Sequence, residues 1–379
     1  MRVALFTGNY NYLREGANQA LNRLVAYLEE RRGYEVRVYS PVTSTPAFEP
    51  AGTLVPVPSI PLPIRSEFRL ALGLPRAIRR DVARFAPALV HVATPDILDT
   101  RAQSFAKRLG VPVVASLHTR FEAYLEYYGL AWVRPLLEAH LHRFYRRSDY
   151  VLVPNAAIEA EMLRIRGDSH VSIWSRGVDR VLFDPARRDL QWRRSQGLAD
   201  DETVILFFGR LVLEKGVSTF VSVVRGLQQR GVKVRPLIVG AGPAATVFEA
   251  LAGVVLTGHL MGDDLAKAVA SADILLNPST TETFGNVVLE SMASGLAVVG
   301  ADVPSTRALV DHDCTGILCS SGDLEGYAAA IESLVGRPET RRAMGAAGCK
   351  ASNAYSWDAA SAAVQQVYER VADAQARPA

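Results

Sequence analysis

The sequence predicts two consecutive α/β domains, each built on a doubly wound parallel sheet. Along the chain, short β-branched runs end in polar or turn residues and are followed each time by a helical pattern. These runs are continuous rather than alternating, as parallel strands covered on both faces require. The series restarts after residue 200, and 379 residues suit two domains at roughly 100–200 residues each.

In the first series, strands are predicted at 3–7, 36–39, 89–92, 113–117, 150–153 and 171–174, with helical patterns such as 18–30 between them. Within 75–85, Ile78, Val82 and Phe85 share one face, and Pro75 suits a first helical position. The second series places strands at 203–208, 235–239, 253–256, 274–277, 297–299 and 316–319, with helices at 217–230, 263–271 and 287–294. Residues 177–198 are polar, charged and poor in strand signals, so the linker is placed at their start. A last helix, 357–372, follows a series that is already complete.

Hydrophobic residues make up 49% and charged residues 21%, too apolar for a disordered chain. No stretch offers about 20 uninterrupted apolar residues, and MRVALFTGNY reads as a buried strand rather than a secretion signal. Cys314, Cys319 and Cys349 are too few for a disulfide framework, which points to a reducing cytosol. Residues 1–180 hold 24 Lys and Arg against 17 Asp and Glu, whereas 181–379 hold 18 against 22. A basic half joined to an acidic half suggests different partners for each. The sequence carries no nucleic-acid-binding motif, so no nucleic-acid partner is expected.

The segment Thr280–Gly295 carries the strongest chemical signal. It follows the strand ILLNPS, turns at Gly285-Asn286 and continues as a helix. Such a junction points backbone N–H groups at whatever lies above the helix start, which suits a phosphate. Glu282 precedes the junction and Glu290 lies about two turns on, some ~8 Å along the axis. Carboxylates flanking an anion site suit hydroxyls, such as those of a ribose and a sugar; otherwise they are ordinary loop and surface charges.

In FFGRLVLEKG, a strand ends at Gly209 and a helix begins near Val217. Arg210 and Lys215 can converge on one diphosphate. The chain has only five lysines, so Lys215 does not belong to a lysine-rich surface. The glycines of VGAGP (239–243) allow either close ligand approach or a plain turn. His118 closes one strand and suits a substrate contact, whereas His91 closes another and suits packing. Gly8 and Gly16 bracket the first loop at a spacing unlike G-x-G-x-x-G, which argues against NAD. Asp311-His312-Asp313 reads as a turn, and no metal site is expected.

Taken together, GRLVLEKG, VGAGP and TETFGNVVLESMASG stand in the order and spacing of glycosyltransferase family 4, which the chain resembles over nearly its whole length. Ser175–Asp179 and His118-Thr119 with YLEYYG resemble a narrower group, the GDP-mannose-dependent α-mannosyltransferases and the sulfoquinovosyl- and glucuronosyl-diacylglycerol synthases. The resemblance implies a retaining GT-B enzyme with two Rossmann-like domains facing across a cleft. Residues 1–176 plus 357–379 would form the acceptor-side domain and 177–356 the donor domain.

The resemblance also implies roles residue by residue. Arg210 and Lys215 would bind the donor diphosphate, Glu290 the ribose and Glu282 the sugar hydroxyls. Phe284, Gly285, Asn286 and Val287 would offer backbone N–H groups, and Gly258, His259 and Leu260 would contact the base. His118 would touch the transferring sugar. Gly16 and Ala17 would let the first loop approach the diphosphate, although the family more often has two glycines there. A nucleotide sugar is then a co-substrate, with no cofactor or metal. GDP-mannose is the favoured donor, ahead of a UDP-hexose or UDP-glucuronate, and the acceptor is a lipid or saccharide.

Residues 61–84 carry six arginines (65, 69, 76, 79, 80 and 84) with Phe68, Leu70 and Leu72 between them. Residues 132–147 add Arg134, Arg143, Arg146 and Arg147 beside Trp132, Leu136, Phe144 and Tyr145. Such mixtures dock on anionic lipid or form solvated helix faces. The first reading puts a cytoplasmic protein peripherally on the inner membrane face. A dinucleotide-dependent oxidoreductase and a non-catalytic sugar-binding protein are the remoter alternatives.

Overall fold

A computed structural model of the chain describes residues 1–62 and 67–376. Its strands are β1 (Arg2–Phe6), β2 (Glu35–Ser40), β3 (Thr53–Pro56), β4 (Ser59–Pro61), β5 (Arg69–Ala71), β6 (Leu89–Val92), β7 (Val113–Ser116), β8 (Tyr150–Val153), β9 (Val171–Ile173), β10 (Thr203–Phe208), β11 (Val234–Val239), β12 (Val255–Gly258), β13 (Ile274–Asn277), β14 (Ala297–Ala301) and β15 (Gly316–Cys319). Two compact units result. One comprises Met1–Leu125, Leu130–Gly177 and the segment from Trp357; the other comprises Val178–Ser356 with Glu126–Gly129.

The first unit holds a parallel sheet in the order β3-β2-β1-β6-β7-β8-β9, and β4 and β5 pair as a separate antiparallel hairpin. The second holds a parallel sheet in the order β12-β11-β10-β13-β14-β15. In each, the order reverses beside the first strand: β1 lies between β2 and β6, and β10 between β11 and β13. Loops leaving the two strands at such a point go to opposite sides and open a crevice beyond their carboxyl ends.

Alternation along the strands explains why both faces are covered. Ala4 and Phe6 of β1 enter one apolar cluster while Val3 and Leu5 enter another. In β10, Ile205 and Phe207 pack on one side and Val204, Leu206 and Phe208 on the other. A period of two with both sets apolar leaves no solvent face, so helices must cover each. The last helix, Trp357–Ala376, is one of these covers: Val364, Val367 and Tyr368 join Val3 and Leu5.

Some expectations are corrected. Pro75 is the residue before the helix Arg76–Phe85, with extended ψ, rather than its first helical residue. The edge strand β3 and the β4–β5 hairpin were not predicted, because they are three or four residues long and β3 and β4 each end in proline. The stretch after Val178 is ordered within the second unit. Arg193, fully buried, donates to the carbonyls of Ser271, Ala199 and Glu202 at 2.8 Å and to Asp273 at 3.2 Å. A buried guanidinium whose two amino groups are bonded this way pins the segment to the sheet.

At the carboxyl end of β6, Asp96 caps the helix Ile97–Arg108 by accepting from the Asp99 amide at 2.8 Å, and Asp99 accepts from Ala93 and Thr94. Burial pushes both carboxyls up, Asp96 to about 6, and the Asp96 charge raises Asp99 further. A raised folded-state value means that stability is lost as pH rises from the ordinary 3.8 through about 6. Asp96→Asn keeps the cap and removes this repulsion. At pH 8 it should therefore raise Tm by about 2–4 °C, with the gain vanishing below pH ~4. Calorimetry at the two pH values checks this.

Candidate functional site

The second unit's switch point brings together the loops that follow β10 and β13. The first loop begins at Gly209 (φ +129°), runs through Arg210, makes one 3-10 turn over Leu213–Lys215 and enters the helix Val217–Gln229 through Gly216 (φ +76°). The second runs from Pro278 to Gly285 and enters the helix Asn286–Ala293. Thr281 Oγ1 donates to the Glu214 carbonyl at 3.0 Å, with Ser279 Oγ at 3.5 Å from the same oxygen. A Cβ on Gly216 would stand 2.9–3.0 Å from Pro278, so glycine there lets the two loops touch.

Across this joint, Lys215 Nζ meets Glu282 Oε1 at 2.5 Å, with both side chains 19% exposed. The structure thus brings two sequence-singled residues together, and they hold each other. Arg210 lies half-buried on the same loop as Lys215. Gly285 (φ +97°) precedes the helix Asn286–Ala293, which has no side-chain cap. The amides of Val288 and Leu289 return to the Gly285 carbonyl, leaving those of Asn286 and Val287 as open donors of this N-terminus among the described residues. Asn286 Oδ1 and Asn277 Nδ2, at either end of the loop, are buried without a hydrogen-bond partner among the described residues. Glu290 is half-buried, some 6 Å along the axis from Asn286. Phe284 is 5% exposed and packs edge-on against Tyr355, so only its backbone can face a ligand.

The VGAGP loop proves to be scaffold. A Cβ on Gly240 would stand 1.9 Å from the Gly209 carbonyl oxygen, and one on Gly242 2.3 Å from that of Leu211. The Leu211 amide donates to Ala241, and the Ala244 amide to Leu211. These glycines allow close backbone–backbone contact that shapes the Arg210 loop, rather than close approach to a ligand. Gly258 ends β12, with its carbonyl accepting from the Gly240 amide; His259 is exposed and Leu260 half-buried. His312 accepts from the Leu318 amide in the turn before β15.

In the first unit, Gly16 and Ala17 open the helix Gly16–Arg32, which has no side-chain cap. His118, just past β7, has both ring nitrogens engaged by protein. Nδ1 lies 2.7 Å from an Arg176 amino group and Nε2 2.8 Å from Ser116 Oγ. Burial, then Arg176, then His91, hold its pKa well below the usual histidine range, so it is neutral. His91 is fully buried and pushed down to about 3. Arg176 is 3% exposed, bonded to the Trp174 and Ser175 carbonyls, and stacked over Trp174 at 5.0 Å. Sequence reasoning placed Arg176 in the Ser175–Asp179 resemblance without a role and passed over Ser116, because nothing in their spacing marks them as partners of His118.

The family description Glycosyltransferase Family 4 matches residues 14–181, and Glycosyl transferases group 1 matches residues 202–337. The sulfoquinovosyl transferase of Arabidopsis thaliana is 30% identical over 96% of this chain and 72% of its own length. A GDP-mannose-dependent alpha-mannosyltransferase of Mycobacterium tuberculosis is 33% identical over 86% of this chain and 85% of its own. An alpha-monoglucosyldiacylglycerol synthase of Streptococcus pneumoniae is 25% identical over 89% and 79%. The solved sucrose-phosphate synthase of Thermosynechococcus elongatus shares the fold, with a TM-score of 0.78 at 20% identity over 98% of this chain and 99% of that one. By these matches, the chain belongs to glycosyltransferase family 4 and is a sugar-transferring enzyme of the GT-B fold.

Proposed function

We propose that this enzyme is a retaining, metal-independent hexosyltransferase that uses a nucleotide sugar, GDP-mannose by preference, and glycosylates a hydroxyl of a lipid-linked acceptor. The observation that supports it is the Lys215–Glu282 pair, held where the loops after β10 and β13 meet beside an uncapped helix start. Arriving diphosphate takes Lys215 from Glu282, which frees that carboxylate for the donor's sugar hydroxyls. Arg210 shares the diphosphate, the Asn286 and Val287 amides add donors, and Glu290 holds the ribose. Breaking the sugar–phosphate bond concentrates charge on the departing diphosphate, so these cations and amides stabilise the transition state more than the ground state. That phosphate accepts the proton of the attacking hydroxyl on the same face of the sugar. His118, held neutral, contacts the sugar without transferring a proton.

The matched mannosyltransferase favours GDP-mannose. A second reading takes a UDP-sugar as donor; the sulfoquinovosyl transferase, matched over still more of the chain, favours sulfoquinovose as the sugar transferred. Incubating the protein with a panel of nucleotide sugars, a lipid extract and EDTA separates the two. We expect an α-linked glycolipid from one donor, with turnover unchanged by the chelator. Failure to bind or consume any nucleotide sugar would sink the reading, and full dependence on magnesium or manganese would remove the metal-independent mechanism.

For the acceptor side, exposed apolar groups support docking at the inner face of a membrane. Trp132 and Leu136 are 79% and 74% exposed at the start of the helix Arg134–Arg146, and Leu72 is 65% exposed. Arg76, Arg80, Arg84 and Arg143 are exposed as well. Phe144 and Tyr145 are core residues and take no part. Arg65 falls in 63–66, outside the described residues. No helix among the described residues is long and apolar enough to cross a membrane. Flotation with anionic vesicles should recover the protein at low salt and lose it as salt rises. Trp132→Ser with Leu136→Ser should weaken recovery at least about ten-fold. No flotation at low salt would return these residues to a solvated face.

A further inference from the structure

The bonds around His118 extend into a chain whose direction is set at one end. Arg176 can only donate, so His118 Nδ1, 2.7 Å from its amino group, accepts. A neutral imidazole that accepts at Nδ1 carries its proton on Nε2, which therefore donates to Ser116 Oγ at 2.8 Å. The one hydroxyl proton of Ser116 then points to His91 Nε2, 2.7 Å away. His91 accepts there, carries its own proton on Nδ1, and donates it to the Tyr368 hydroxyl. Ser116, His91 and Tyr368 are fully buried and Arg176 nearly so, which keeps water from offering alternative partners. Trp174 meets both imidazoles edge-on, at 5.1 and 6.0 Å, and holds their planes.

We propose that Arg176, Ser116, His91 and Tyr368 are positioning residues that lock His118 as the neutral Nε2–H tautomer in one ring orientation, with the chain's last helix supplying the far end of the lock. The inference rests on the reading that His118 faces the transferring sugar, and it adds what decides how the ring faces it. Every member lies in the first unit, yet Tyr368 stands 250 residues after His118 in the chain. The helix Trp357–Ala376 therefore covers the sheet and also terminates a hydrogen-bond network that begins at Arg176 and His118. If the chain ran the other way, His118 would carry its proton on Nδ1, facing the guanidinium, an arrangement with two donors and no acceptor.

The direct test is a long-range proton–nitrogen correlation spectrum of the full chain with 15N-labelled histidine, near neutral pH and without substrate. Signals are assigned by comparison with His91→Gln and His118→Gln. We expect opposite neutral tautomers, Nε2–H at His118 and Nδ1–H at His91. The same tautomer at both rings, or a protonated His118, overturns the proposal. Tyr368→Phe should mix the tautomers at His91 and lower kcat about ten-fold while leaving the donor KM nearly unchanged. Purely structural damage would instead lower the active fraction and leave the tautomers as they are. Should Tyr368→Phe not fold, Ser116→Ala breaks the chain at its middle and should give the same spectral and kinetic signature. Unchanged kcat and tautomers in both variants overturn the proposal. The spectrum is independent of turnover: opposite tautomers in a protein that uses no nucleotide sugar would support the lock and sink only the proposed function.

Discussion

Lys215→Met is expected to lower kcat about a thousand-fold while leaving the fold intact. Removal of one preorganised charge aimed at developing negative charge typically costs 10²–10³ in rate, roughly 3–4 kcal/mol. Here the loss should be at the upper end. The variant would lose the hold on the diphosphate proposed for Lys215, and Glu282, left without its 2.5 Å partner, would become an anion beside an anionic ligand. Stability should change little, about 1 kcal/mol or less, because both groups are partly exposed. Lys215→Arg should restore only part of the rate, since a planar fork does not reproduce a compact ammonium. Steady-state kinetics with titration calorimetry of the nucleoside diphosphate separates lost chemistry from lost binding. Wild-type kcat in the Met variant would remove Lys215 from the site.

Gly240→Val should be the most destabilising of the substitutions considered for the second unit, by about 3 kcal/mol or more. Its Cβ would overlap the Gly209 carbonyl oxygen at 1.9 Å, and φ is +147°. Neither backbone can withdraw without breaking the bonds that Leu211 makes to Ala241 and Ala244. In a unit of this size that cost lowers Tm by about 6–12 °C. Because the strain lands on the loop carrying Arg210, activity should fall even below the melting range. Gly262→Ala is the control: its φ is +53°, but a Cβ there meets nothing within 4 Å, so about 1 kcal/mol and no activity change are expected. Equal melting points for the two variants would refute the packing argument.

Much of the architecture could be read from local patterns. The strands predicted at 203–208, 274–277 and 316–319 coincide with β10, β13 and β15, because buried parallel strands must be apolar on both faces and end where the chain turns polar. β3 and the β4–β5 hairpin escaped, since segments of three or four residues carry little periodic signal. Residues 177–198, with the linker placed at their start, read as polar and poor in strand signals because their charge is visible in sequence, whereas the groups that hold Arg193, the carbonyls of Ala199, Glu202 and Ser271 and the carboxylate of Asp273, lie in later segments.

At the candidate site, residue types at strand ends were legible, and their partnerships were not. Arg210, Lys215, Glu282 and Glu290 stand out as charges at strand–loop–helix junctions, a pattern that backbone geometry alone makes meaningful. That Lys215 rests on Glu282, that Gly240 presses on Gly209, and that a tyrosine from the last helix ends the network behind His118 depend on which strands become neighbours. Secondary structure and fold class follow from the burial period of each segment and can be read within about ten residues. Hydrogen-bond direction and charge pairing arise between segments tens to hundreds of residues apart, so they exist only once the sheet order is set.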